Sequence, residues 1–134
     1  MTNYLATLPG FLTWFPIGAV LLVAFAALYL RVTPWPELRL IRAGNAAAAA
    51  SFAGALLGYA LVLASVLAHA ISRGDLLVWG VIGLLVQVLA FYVARLLLGR
   101  DLTRRIEEGQ VASGVTLGAV SLAAGILNAA TMVH

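Results

Sequence analysis

Few side chains in this sequence are of a type that could do chemistry, and the most conspicuous lie inside apolar runs. Gln87 and Asn128 stand in stretches with no charged neighbour. An amide in hydrocarbon must find a hydrogen-bond partner or cost several kcal/mol. Each amide is therefore expected to bond to a neighbouring helix or to line a polar pathway. Ser51, Thr116 or a freed backbone carbonyl are the expected partners of Gln87, and Ser65 that of Asn128. A second group, His69, Ser72, Arg73 and Asp75, is close together in the chain. Ser72 and Asp75 have the spacing of a capping box at a helix start, and a pH-sensing pair of His69 with Asp75 is the alternative. Two ligands are too few for a metal site, so none is expected. No serine has a histidine and an acid at triad positions, no glycine-rich phosphate cradle follows a strand, and no carboxylates are paired inside an apolar run. With no cysteine in the chain, thiol chemistry is absent too. Neither a cofactor nor enzyme activity is expected.

The elements that must position these residues follow from composition. The chain has 134 residues, 63% hydrophobic and only 10% charged, where soluble domains carry roughly a quarter charged. A mean hydropathy of +1.06 leaves too little polar surface to cover so small a particle in water. A bilayer core needs roughly 20 apolar residues in a helix, and residues 11–32, 46–71, 76–98 and 111–133 satisfy that length. The sequence therefore predicts an all-α polytopic membrane protein, a single domain of four transmembrane helices. Residues 1–10 carry no basic residue and the first run is longer than a signal-peptide core, so it is expected to remain as a span.

All eight basic residues are arginines, and they flank apolar runs without forming a nucleic-acid footprint. Seven of the eight fall on the same side of a four-span arrangement, with Arg73 alone opposite. The positive-inside rule makes that side cytoplasmic and both termini external. Arg39, Arg42, Arg100, Arg104 and Arg105 are the expected contacts for anionic headgroups or a peripheral partner. Arg95 reads as a side chain snorkelling to the headgroups. Trp14 and Trp79 are expected in the outer aromatic belt, and Trp35 and Tyr92 near the inner one.

Residues 39–45 match residues 104–110 at an offset of 65. That predicts a tandem parallel repeat of two-helix units, roughly residues 5–69 and 70–134, related by an axis along the membrane normal. Each unit contains a short charged helix at the inner interface. Glu37 is expected in the first turn of one; in the other, Asp101 should face Arg105, and Arg104 should face Glu108, at i, i+4 spacing. The second and fourth spans, with Gly54, Gly58, Gly114, Gly118 and Gly125, are small-faced and are expected to form the interior pair. The first span is expected to be the most lipid-exposed, and association into a homo-oligomer is expected.

Several stretches together resemble the DUF350 family of small bacterial inner-membrane proteins, also called UPF0719. They are Thr33-Pro34-Trp35-Pro36-Glu37-Leu38, Ile41-Arg42-Ala43-Gly44-Asn45, Leu57-Gly58-Tyr59, Asp75 with Trp79-Gly80, Val86-Gln87, Arg95-Leu96-Leu97, and Gly125-Ile126-Leu127-Asn128 running to Met132. The resemblance covers nearly the whole chain after Phe11 and implies four spans in the bacterial inner membrane. It marks Asn45, Asp75, Gln87 and Asn128 as shared polar residues. It also implies, by association with phage-shock-type membrane-stress proteins, a non-enzymatic part in envelope integrity. The alternative is an oligomeric channel or transporter subunit with Gln87 and Asn128 on a shared axis.

Overall fold

A computed structural model describes residues 4–132 and is entirely helical in its regular structure. Six helices follow in order: α1 Tyr4–Val32, α2 Glu37–Arg42, α3 Ala46–His69, α4 Arg73–Leu98, α5 Leu102–Glu107 and α6 Val111–Thr131. Four of them, α1, α3, α4 and α6, are long and apolar enough to cross a bilayer. Their limits follow the apolar runs closely, except that α1 begins seven residues earlier than the run predicts and passes through Pro9 and Pro16. The predicted end of the last span at Val133, and the C-terminal His134, lie outside the described residues.

Of the three connections between spans, the two that contain a short helix, α1 to α3 and α4 to α6, share one backbone design. In the first, α2 closes with Gly44 N donating to Ile41 O and Asn45 N to Leu40 O, the paired bonds of a Schellman cap. Gly44 has φ +88°, a conformation that costs glycine nothing and other residues dearly. In the second, Gly109 N donates to Ile106 O and Gln110 N to Arg105 O, with Gly109 at φ +79°. Every one of these positions recurs at an offset of 65, as do the starts of α2 and α5 and of α3 and α6.

The residue that ends each cap also begins the next span. Asn45 Oδ1 accepts from Ala48 N at 2.9 Å, while its Nδ2 donates to Ile106 O of α5 at 2.7 Å. One side chain thus caps α3 and ties the two connectors together, placing them at the same end of the bundle. Gln110, one methylene longer, makes no side-chain cap to α6; its Oε1 accepts from the Ser113 hydroxyl instead.

The most extensive contact in the molecule is between α3 and α6. A Cβ added to Gly54 or Gly118 would overlap the backbone of the facing helix, at Gly118 and Ala50 respectively, and one added to Gly114 or Gly125 would overlap Ala47 or Gly58. The two helices therefore meet backbone to backbone. Small residues permit that approach, and in lipid it is the packing itself that holds helices together. The interior pair is the one the sequence predicts, and α1 has the smallest buried share of the four spans. Helix α4 lays its buried face, Leu76, Gly80, Gly83, Gln87, Phe91 and Ala94, onto the pair.

Gly54→Ala and Gly125→Ala should each destabilise the protein by about 1–3 kcal/mol or more, as forced overpacking does. Gly10→Ala, where nothing lies within 4 Å of an added Cβ, should leave the melting temperature in detergent unchanged. Equal melting of all three variants would show that the close approach is not what holds the bundle.

Candidate functional site

The most unusual group lies at the connector end. Glu37 opens α2, and only 2% of its surface is exposed, a rare position for a carboxyl without a cationic partner. Trp35 Nε1 donates to its Oε2 at 2.9 Å and Ser51 Oγ, from the second turn of α3, approaches its Oε1 at 3.1 Å. No ion pair to Glu37 exists among the described residues. Aromatic rings wall the group in: Trp35 and Phe91 lie 6.0 Å apart, with Tyr29 5.8 Å from both Phe91 and Phe52. The Tyr29 hydroxyl is buried with no hydrogen-bond partner. Burial raises the Glu37 carboxyl from 4.5 to about 7, against the pull of its bonds from Ser51, Trp35 and Thr33.

These positions correct one expectation and add to another. Trp35 is not an interfacial belt residue but is buried, 2% exposed, because its indole N–H finds a carboxylate inside the fold. Glu37 stands in the first turn of α2 as expected, and the short helix turns that side of itself toward α3, which buries the acid. Reading the 65-residue offset at this position supplies a signal: it pairs Glu37 with Leu102, and Leu102 is fully buried.

Deeper in the bundle, Gln87 is 2% exposed and its Nε2 donates to Ser121 O of α6 at 3.1 Å. Its partner is a backbone carbonyl, one of the kinds expected, whereas Ser51 serves Glu37 and Thr116 donates to Ala112 O on an exposed face. Asn128 does not bond to Ser65, whose hydroxyl goes to Ala129 O at 2.9 Å. Gln87 Oε1, Ser121 Oγ and Asn128 Nδ2 are all buried without a protein partner. Tyr59 completes this region, donating to Gly80 O at 2.8 Å. Asn128 Nδ2 and Tyr59 both border Gly83, so these polar groups cluster where α3, α4 and α6 converge.

At the opposite end, Ser72 Oγ accepts from Asp75 N at 3.1 Å and Asp75 accepts from Ile71 N at 3.2 Å, which caps α4. His69 does not pair with Asp75; its Nδ1 lies 2.8 Å from Ser65 O, one turn back along its own helix. Both residues nevertheless border one small cavity of about 50 Å³ with Trp79 and Met132.

Among the arginines, Arg39, Arg42, Arg100 and Arg104 are exposed at the connector end. Arg104 pairs with Asp101 at 3.4 Å, not with Glu108, and Arg105 donates to Leu98 O at 3.1 Å, not to Asp101. The unsatisfied carbonyls at the end of α4 attract the nearest guanidinium. Arg95 and Arg100 border an open cavity of about 550 Å³ with Tyr92.

One family model, described as Domain of Unknown Function (DUF350), matches residues 3–132. The chain belongs to the DUF350 family. It is 38% identical over 130 residues to the UPF0719 inner membrane protein YjfL of Escherichia coli strain K12, covering 97% of this chain and 98% of that one. The same figures hold for the protein of that name from Escherichia coli O157:H7. No solved structure matches this member of the DUF350 family. Of the polar residues that carry the resemblance, Asn45 and Asp75 act as helix caps, while Gln87 and Asn128 occupy the bundle interior.

Gln87→Leu should cost up to about 1 kcal/mol, since it removes one interhelical bond together with an unpartnered oxygen. Asn128→Leu removes a donor that has no partner, so it should be neutral or stabilising. Thermal unfolding in detergent distinguishes them; marked destabilisation by Asn128→Leu would mean that its amide is held through bound water.

Proposed function

We propose that this chain is a non-enzymatic, multi-pass protein of the bacterial inner membrane that contributes to envelope integrity, and that a single copy does not form a pore. The observation that carries this reading is the α3–α6 contact. Where a methyl group at Gly54, Gly118 or Gly125 would already overlap backbone, no file of water or ions fits between the two central helices. The similarity to an Escherichia coli inner membrane protein supports the location.

Contact of Arg39, Arg42, Arg100 and Arg104 with anionic headgroups belongs to the same reading. So does a cytoplasmic position for the connector end, and with it external termini. The halves at roughly residues 5–69 and 70–134 are read as a parallel duplication, supported by the connector hydrogen bonds that recur 65 residues apart. Homo-oligomerisation would then proceed through the lipid-facing surfaces. The channel alternative draws on the unpartnered atoms of Gln87, Ser121 and Asn128. However, Gln87 points into its own bundle and is 2% exposed, so it is badly placed to line an axis shared between copies.

Liposomes containing only this protein should pass ions no faster than empty ones; a protein-dependent ion flux would overturn the reading. Topology is checked separately. A reporter fused after Arg104 should be cytoplasmic and one fused to the C-terminus external, and the reverse result would invert the orientation.

A further inference from the structure

We propose that Glu37 is a reversible proton-binding site at the connector end of the bundle, loaded from the adjoining aqueous phase, with the Ser51 hydroxyl as its hydrogen-bond switch. Ser51 Oγ lies within bonding distance of two acceptors, Glu37 Oε1 at 3.1 Å and Ala48 O at 3.0 Å. A hydroxyl has one hydrogen to donate. When Glu37 is ionised, that hydrogen goes to the carboxylate. When Glu37 is protonated, its own O–H donates to Ser51 Oγ, and Ser51 donates to Ala48 O. Trp35 Nε1–H donates to the second carboxyl oxygen in both states. Loading the site adds one proton to one oxygen and rotates one O–H bond, so Glu37, Ser51 and Trp35 each keep a partner and no side chain has to repack.

The fold does not require an acid here. At the matching position of the other connector, 65 residues on, Leu102 is as fully buried as its surroundings allow, and hydrocarbon fills the place without a partner. The acid therefore costs desolvation that a leucine would avoid. No cation pairs with it to hold it ionised, and only the donors Ser51, Trp35 and Thr33 favour the charged form. The titratable group facing it from α1 is Tyr29, α3 contributes Ser51, α4 contributes the Phe91 ring against Trp35, and no arginine reaches it. A carboxyl in such surroundings changes protonation where an exposed one would not, and burial places that change at about 7.

The sign of the stability effect follows from linkage. The raised value means that the folded chain holds the proton more tightly than the unfolded chain, so stabilisation is full at pH below the ordinary carboxyl range. It is lost as pH rises through about 7.

Infrared titration of the intact protein in lipid, from about pH 5 to about pH 9, reads the site directly through the carbonyl stretch of a protonated carboxyl. The band should disappear with a midpoint near 7, and the melting temperature should fall over the same interval. Both changes should be missing from Glu37→Gln and from Glu37→Leu, which follows the precedent of Leu102. Ser51→Ala and Trp35→Phe each remove a donor that favours the ionised form, so either should move the midpoint upward. They provide a second test if the Glu37 variants fail to fold. A band present throughout, or absent throughout, would overturn the proposal, as would an unmoved or lowered midpoint in both donor variants.

Discussion

Everything in this bundle depends on two helices touching without side chains between them. In lipid there is no hydrophobic drive to bring helices together, since the solvent is as apolar as the side chains. What remains is contact, and contact is closest where Gly54, Gly118, Gly125 and their small neighbours let backbones meet. Helix α4 then completes the core by laying glycines of its own, Gly80 and Gly83, against Leu21 and Val62. The first span is left peripheral, attached through larger side chains such as Phe25, which stacks on Tyr59 at 4.7 Å.

The same low-dielectric interior dictates how polar groups are treated. At the ends of the spans they are satisfied locally: Asn45 and Ser72 cap α3 and α4, and Arg105 takes an orphan carbonyl at the end of α4. Inside the bundle satisfaction is partial, with Gln87 using its nitrogen and leaving its oxygen free. Glu37 is the extreme case, because it is ionisable and its partners are a serine, a tryptophan and a threonine rather than a cation. A polar group kept in such a place at an energetic cost, where its counterpart Leu102 avoids the cost, is more readily explained by chemistry than by packing.

The connectors show how little sequence is needed to specify a turn and how much it can vary around one. Both use a six-residue helix, a glycine with positive φ and a polar residue that passes from one cap to the next. Yet Asn45 reaches across the molecule whereas Gln110 bonds within its own turn. One methylene changes which acceptors a side chain can meet.

The sequence alone determined the number of spans, their limits to within a few residues save for the start of α1, the pairing of the small-faced second and fourth spans, the connector helices and the cap at Ser72. Each of these is set by length, hydropathy or local backbone chemistry, which act over a few residues and are legible one segment at a time. Only the tertiary structure decided that Glu37 and Trp35 are buried, that Gln87 bonds to the Ser121 carbonyl, that the Asn128 Nδ2 is buried without a protein partner, and that the His69 ring lies against the Ser65 carbonyl and not in a pair with Asp75. Those facts depend on the rotation of each helix about its axis and on the side chains that a neighbouring helix presents. In an apolar sequence the hydrophobic periodicity that would reveal that rotation is nearly absent, since the face toward lipid is as greasy as the face toward protein.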